Sequence, residues 1–167
     1  VLRAFEDDDI PGPSDPLEHL RIVEIELALA DLETVETRLS RAQKTSRMDK
    51  SVTEEMEALE RAQVHLAEGR PLYRAGITED DRALLAPHFL LTARRVLAVV
   101  NVAEDKIDTM PEMEAIVRAE LAPPGSASAN DVEVLGMSVQ LEAEAAQLTG
   151  QDRIDMLAAL GLGEGAL

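Results

Sequence analysis

The sequence contains no cysteine, which excludes disulfide bonds, zinc–thiolate centres and thiol switches within the chain. Tryptophan is also absent, and aromatic residues make up only 2% of the 167 residues. The core must therefore be built from Leu, Val, Ile, Ala and Met. That composition suits helices packed on helices, or helices packed on a Val- and Leu-rich sheet.

Long apolar runs are missing as well. Runs such as residues 96–100 fall far short of the ~20 residues that a membrane span requires. The N-terminus shows no signal-peptide pattern, because residues 1–5 lead directly into the acidic run 6–9. We therefore expect a cytoplasmic protein without membrane contact. The first residue is not Met and the chain opens within a predicted strand, so we expect a fragment of a longer protein.

Basic residues are scarce: 16 Lys and Arg stand against 33 Asp and Glu, giving a net charge of −17. This charge repels nucleic acid overall, so contact with a polyanion requires a local basic patch. One such patch recurs at every third position: Arg38, Arg41, Lys44, Arg47 and Lys50. Two interpretations stay open, namely a surface that contacts RNA or a ribosome and a solvated helix end, where Lys and Arg are also favoured.

Two long amphipathic helices are predicted in the first half of the chain. Asp15 as N-cap and Pro16 at the first helical position begin a helix that runs to the mid-forties. Its apolar stripe consists of Ile22, Ile25, Leu29, Leu32, Val35, Leu39 and Ala42. A second helix over residues 52–68 has a seam of Val52, Met56, Leu59 and Leu66. Two such seams joined by a short polar turn predict an antiparallel coiled-coil hairpin.

The second half alternates between strand and helix patterns. Residues 96–100 are apolar throughout, which is typical of a strand buried on both faces of a parallel sheet, and residues 132–137 form a second candidate strand. A helix capped at Thr78 is predicted to run to about residue 86, and further helices are predicted over residues 111–121, 142–148 and 152–160. This order predicts an α/β fold with a parallel sheet.

Candidate binding residues follow the two strands, where ligands of parallel sheets lie. Asn101 and Glu104 come after the first strand, and Ser138 and Val139 come after the second. By itself an Asn-x-x-Glu sequence is a weak signal, because Asn after a strand usually serves turn chemistry, and Glu104 would then only begin a solvated acidic loop. No catalytic constellation and no metal-ligand spacing is found among these residues.

Several blocks nevertheless resemble the YchF/Obg-like ATPase family, a branch of the translation-factor-related P-loop GTPases. Residues 1–10 read VLRAFEDDDI, similar to the family's V-x-R-(C/A)-F-E-D-x-D-I, and residues 26–33 read ELALADLE, similar to E-L-x-L-A-D-L-E. Residues 91–97 read LTARRVL, close to L-T-A-K-P-V-L, and residues 101–104 read NVAE, close to N-V-x-E. Residues 138–144 read SVQLEAE, close to S-A-x-x-E-A-E. The blocks occur in the family's order along nearly the whole chain.

The resemblance implies an α/β fold: a partial G-type P-loop NTPase sheet with an inserted antiparallel coiled-coil hairpin. Residues 1–14 would be a strand end and loop of the G domain, residues 15–75 the hairpin, and residues 76–167 the C-terminal half of the G domain with its base-recognition motifs. Asn101 and Glu104 would then lie at a purine base with Val102 beside it, and Ser138 and the backbone of Val139 would complete the pocket. Val139 departs from the family's Ala and is bulkier.

The resemblance further implies a nucleotide-driven switch linked to translation, using ATP or GTP with Mg²⁺ in the intact protein. Glu104 is one methylene longer than the Asp that reads guanine in related GTPases, so ATP is expected to be preferred. No G-x-x-x-x-G-K-(S/T) phosphate loop occurs in the sequence, so this chain alone should not hydrolyse nucleotide. The alternative is a non-enzymatic adaptor whose helical hairpin binds a partner.

Overall fold

The computed structural model describes residues 1–7, 9, 11–45, 50–123, 126 and 131–160. Its strands are β1 (Leu2–Ala4), β2 (Val96–Val102) and β3 (Val132–Met137). Its α-helices are α1 (Pro16–Thr45), α2 (Lys50–Ala67), α3 (Leu72–Ala75), α4 (Glu79–Leu85), α5 (Met110–Leu121), α6 (Val139–Ala145) and α7 (Gln151–Ala159). Short 3₁₀ helices cover Ala86–His88 and Glu104–Thr109. Across these ranges, no helix is long and apolar enough to cross a membrane.

The strands form one sheet in the order β1-β2-β3, and β1 pairs with β2 in parallel. The register places Leu2 opposite Val100, Arg3 opposite Asn101 and Ala4 opposite Val102. The predicted α/β class is confirmed, and the ends of β1 and β2 lie side by side.

Strand β2 corrects one expectation. Alternate residues Ala98, Val100 and Val102 are buried, but Leu97 is 58% exposed. The prediction of burial on both faces is therefore wrong at Leu97. An apolar run shows what a strand is able to bury, whereas the layers that actually cover its faces depend on tertiary packing.

The chain divides into two compact units. Unit 1 comprises Val1–His19, Ala98–Val117 and Val134–Leu167, and unit 2 comprises Leu20–Leu97 and Arg118–Glu133. Unit 1 contains β1, most of β2 and β3, α6 and α7, and unit 2 contains α2, α3, α4 and nearly all of α1. Unit 2 thus extends past residue 75, the expected end of the hairpin, and the expected domain limits stay a prediction.

The core of unit 2 joins the two long helices. Ala28, Val35 and Leu39 of α1 belong to the same buried cluster as these residues of α2 and the segment after it: Ala58, Leu59, Ala62, Leu66, Leu72, Leu85 and Leu90. The predicted positions Val35, Leu39, Leu59 and Leu66 are therefore confirmed as core. The side chains of Ala42 and Val52 lie outside the described residues.

The first half of the predicted α1 stripe is wrong. Ile22, Ile25 and Leu29 are 41%, 50% and 56% exposed, whereas Glu24 and Asp31 are only 8% and 2% exposed. The buried face of α1 therefore includes two carboxylates that a hydrophobic pattern assigns to solvent.

Both buried carboxylates accept hydrogen bonds from other parts of the chain, which explains why they are buried while apolar residues of α1 are exposed. Asp31 Oδ1 accepts from the Leu91 N–H at 2.8 Å, and Asp31 Oδ2 accepts from the Thr92 N–H at 2.7 Å and from Thr92 Oγ1 at 2.6 Å. Glu24 Oε1 accepts from the Tyr73 hydroxyl, and from Arg74 Nε at 2.6 Å. Buried charges are tolerated when they are paired and hydrogen-bonded in this way.

Two predicted helix caps are confirmed. Asp15 Oδ1 accepts from the Leu17 N–H at 2.9 Å at the start of α1. Thr78 Oγ1 accepts from the Asp81 N–H at 3.0 Å at the start of α4. Each side-chain oxygen satisfies a backbone donor that the first helical turn leaves without a partner.

Candidate functional site

In unit 1, a hydrogen bond fastens the end of β2 to the start of α6. The Val139 N–H donates to Asn101 Oδ1 at 2.9 Å, between residues 38 positions apart in the chain. Asn101 is the second-last residue of β2, and Val139 is the first residue of α6 after β3. The two segments that the sequence singled out are therefore adjacent, and Asn101 ties them together.

Glu104 lies beside the same helix start. It begins the Glu104–Thr109 3₁₀ helix and is exposed. Gln140 Nε2 lies 3.5 Å from Glu104 Oε2 and 3.4 Å from Glu144 Oε1, at the long limit of hydrogen bonding. An ionised carboxylate accepts hydrogen bonds only, so Glu104 offers acceptors to a donor-bearing ligand.

The remaining predicted residues differ in accessibility. Val139 is 42% exposed, whereas Ser138 is 1% and Val102 is 2% exposed. Ser138 Oγ is buried and has no hydrogen-bond partner within the described part of the chain. In this conformation Glu104 and the Val139 side chain can touch a ligand directly, while Val102 and Ser138 lie beneath the surface.

The Val139 N–H makes a hydrogen bond within the chain. The backbone of Val139 is expected to complete the base pocket, and in the structure its N–H donates to Asn101. Its contact with a base stays a prediction. A base that used this N–H would have to displace Asn101 Oδ1. In the geometry observed, the backbone of Val139 fixes the position of Asn101 and thereby the end of β2.

Sequence reasoning assigned no role to Gln140 or Arg3. Gln140 is the side chain that reaches Glu104, and its only sequence signal is its place one residue after Val139 at the start of α6. Arg3 is 9% exposed, and its guanidinium donates to the carbonyl oxygens of Pro13, at 3.1 Å, and Gly12. Arg3 therefore holds the loop after β1 against the strand.

A depression of about 450 Å³ lies at the carboxyl ends of β1 and β2. Ala4, Phe5 and Glu6 line it from the first strand, and Ala103, Asp105 and Lys106 line it from the second. These residues flank the predicted base residues without including them. Its lining carries both signs of charge, and in the described residues no group of three or more His, Asp or Glu is placed to hold a metal ion.

The predicted basic surface is only partly described. Arg38 and Arg41 are exposed on α1. The side chains of Lys44 and Lys50, and the whole of Arg47, lie outside the described residues. RNA or ribosome contact through this surface therefore stays a prediction.

Comparison with known proteins gives no matching family model, but it does find curated relatives. The chain is 32% identical over 171 residues to the ribosome-binding ATPase YchF of Bacillus subtilis (strain 168), covering 100% of this chain and 46% of the relative. It is 30% identical over 171 residues to the protein of that name from Escherichia coli O157:H7, covering 100% of this chain and 45% of the relative. It is also 33% identical over 109 residues to Obg-like ATPase 1 of Caenorhabditis elegans, covering 62% of this chain and 28% of the relative.

A solved structure has the same fold. The Schizosaccharomyces pombe YchF GTPase matches with a TM-score of 0.73 and 24% identity, over 97% of this chain and 45% of that one. The chain thus has the α/β fold of part of that protein. With the relatives that match along its whole length, the chain belongs to the YchF/Obg-like ATPase family. It spans about half the length of the curated relatives it matches, with 46% of the Bacillus subtilis protein covered.

Proposed function

We propose that this chain supplies the base-binding half of a purine-nucleotide site in a YchF-like ATPase, and that Glu104 favours adenine. The observation that carries the proposal is the Asn101–Val139 hydrogen bond, which brings the Asn-x-x-Glu segment and the start of α6 into one place. The nearby carboxylate of Glu104 is exposed, and within the described part of the chain Gln140 Nε2 lies 3.5 Å from its Oε2. It is therefore accessible to a ligand that donates a hydrogen bond.

The chemistry of the base supports adenine. Guanine presents N1–H and N2–H₂ side by side, a pair of donors that the shorter Asp of related GTPases accepts together. Adenine presents a single exocyclic amine, so it needs one acceptor and leaves room for a longer side chain. Glu104 supplies that acceptor with one methylene more, which crowds guanine.

Phosphate and Mg²⁺ binding need residues that this sequence does not contain. In P-loop NTPases a glycine-rich loop and its Lys hold the β- and γ-phosphates, and hydroxyl and carboxylate groups hold Mg²⁺. No such loop occurs in the sequence. Hydrolysis of ATP or GTP is therefore proposed for an intact protein with a P-loop and not for this chain alone.

The proposed partner is the ribosome, because curated relatives over the whole chain are named ribosome-binding ATPases. The exposed Arg38 and Arg41 on α1 support contact with an anionic surface such as RNA. The proposed role is that of a nucleotide-dependent switch acting in translation.

The base site is tested by fluorescence titration of a mant-labelled ATP on the complete gene product. Glu104→Gln should weaken binding about tenfold or more, since a hydrogen bond to a charged group is worth ~1.5–3 kcal/mol. Asn101→Ala should also weaken binding, because it removes the Asn101–Val139 hydrogen bond that brings the two segments together. Glu112→Gln, an exposed carboxylate on α5, serves as the matched control and should leave the affinity unchanged. Wild-type affinity in both site variants would refute the site, and no binding of either ATP or GTP would favour the non-enzymatic adaptor.

A further inference from the structure

Unit 2 carries a groove that the nucleotide site does not use. Two depressions of about 660 and 340 Å³ share Arg61, Thr78 and Asp81 and lie along α2. Besides α2, the larger depression is lined by residues between Thr78 and Leu84, and the smaller one by residues between Ala75 and Asp81. We call the pair of depressions the α2 groove.

One end of the α2 groove is acidic. Glu54 and Glu57 of α2 and Asp80 of α4 line the larger depression, together with the shared residues Arg61 and Asp81. Four carboxylates and one guanidinium give this end a formal charge of −3. Glu57 and Asp80 are exposed, so both are accessible to a cation.

The single cation in that lining is already engaged. Arg61 donates to Asp81 through both Nη2, at 2.5 Å, and Nε, at 3.2 Å. This bidentate hydrogen bond lowers the pKa of Asp81, which is 7% exposed, so the pair stays ionised. Arg61 Nη1 also lies 4.0 Å from Glu57 Oε2, at the limit of an ion pair. One guanidinium is thus shared between Asp81 and Glu57, and the lining of the larger depression keeps its formal charge of −3.

The other end is apolar. Val64 is 59% exposed on α2 and faces the smaller depression together with Ala75, Gly76 and Ile77. Singly exposed apolar residues are common on protein surfaces. Here, however, the exposed side chain lines a concave surface that continues into an acidic one.

We propose that the α2 groove docks a polypeptide segment of a partner protein that carries a Lys or Arg and an apolar residue. The cation lies between Glu57 and Asp80, and the apolar side chain packs on Val64 and Ile77. Glu57 and Val64 are seven residues apart on α2, or about 10 Å along the helix axis. In an extended partner this corresponds to a spacing of about three residues.

Charge decides between this occupant and others. An RNA strand would meet a surface of charge −3, and a second copy of the chain would bring a net charge of −17. A polypeptide segment matches both ends of the α2 groove, because it can carry a cation for the acidic end and an apolar side chain for the other. The inference does not depend on the nucleotide site, because all lining residues belong to unit 2.

The test uses a fluorescein-labelled peptide with the repeat Arg-Ser-Ser-Leu-Ser-Ser, in which each Arg lies three residues from the next Leu. Its binding to the complete gene product is followed by fluorescence anisotropy. The double variant Glu57→Gln/Asp80→Asn should weaken binding about fivefold or more, and Val64→Ser about threefold. The matched control Glu26→Gln/Glu36→Gln removes the same charge from exposed positions on α1 and should leave the affinity within about twofold.

Three outcomes would overturn the proposal. Equal weakening by the control and groove variants would show general charge attraction, and no binding by the wild type would remove the site. Tighter binding of a labelled oligouridine RNA than of the peptide, with sensitivity to the same groove substitutions, would assign the groove to RNA. Far-UV circular dichroism of every variant establishes that the fold is retained.

Discussion

Replacing Asp31 by alanine should destabilise unit 2 more than any exposed substitution on α1. Asp31 is 2% exposed, and its carboxylate accepts from two backbone N–H groups and one hydroxyl. The three donors lie in the 91–92 turn, 60 and 61 residues away along the chain. The substitution therefore removes one side chain and leaves three hydrogen-bond donors without their acceptor.

The expected magnitude follows from those donors. A buried donor that loses its partner costs ~1–3 kcal/mol, and removal of one side of a buried charged network costs ~3–5 kcal/mol in all. We expect Asp31→Ala to lower the free energy of unfolding by about 3–5 kcal/mol. Asp31→Asn keeps one acceptor oxygen but turns an NH₂ group toward a donor, so about 2–3 kcal/mol is expected.

Urea denaturation followed by far-UV circular dichroism measures both values. Glu33→Ala is the matched control, because Glu33 is exposed on the same helix and should change stability by less than about 0.5 kcal/mol. A loss of less than about 1 kcal/mol in the free energy of unfolding for Asp31→Ala would refute the argument that these hydrogen bonds stabilise the buried carboxylate.

Two further predictions concern Tyr73 and Gly136. Burial raises the pKa of Tyr73 above its ordinary value of 10.0, and the hydrogen bond to Glu24 raises it further. The folded protein therefore keeps this proton where the unfolded chain loses it, so the stability from Tyr73 is complete below pH ~10 and is lost as pH rises toward the folded pKa. Tyr73 is the only tyrosine of this 167-residue chain, which has no tryptophan, so the tyrosinate absorbance of the chain reports it directly. Ionisation of Tyr73 near its ordinary pKa in the folded chain would contradict this account. Gly136→Ala should destabilise by about 1–3 kcal/mol, because a Cβ would lie 2.5 Å from Met110 Cγ. Thermal denaturation measures this loss, and an unchanged melting temperature would mean that Met110 moves away freely.

Local signals in the sequence predicted much of the fold. The Asp15 and Thr78 caps depend on neighbouring residues, and both are observed. The second candidate strand matches β3 over Val132–Met137. These elements are determined by side chains close in the chain, so a single sequence contains the information.

Errors arose where distant residues decide the outcome. Glu24 and Asp31 are buried because Tyr73, Arg74, Leu91 and Thr92 donate to them, and no periodicity shows those partners. Leu97 is exposed because the covering of a sheet face is a tertiary property. Hydrophobic patterns treat each carboxylate as solvent-facing and each leucine as buried, so they fail at such positions.

For the candidate site, the sequence predicted the segments but not the contacts. Asn101 and Val139 meet because β2 and β3 are neighbours in the sheet, which a single strand pattern does not specify. Gln140 reaches Glu104 for the same reason. The residue types at the site were thus available from the sequence, whereas their pairing depends on strand order.

The most direct measurement is the ratio of the dissociation constants for GTP and ATP, determined on the complete gene product with and without Glu104→Asp. The wild type should bind ATP more tightly, and the shorter acid should shift the ratio toward GTP by about tenfold, within the ~1–3 kcal/mol that a bidentate contact to a base contributes. A wild-type preference for GTP, or a ratio that Glu104→Asp leaves unchanged, would contradict the assignment of Glu104 as the residue that reads the base.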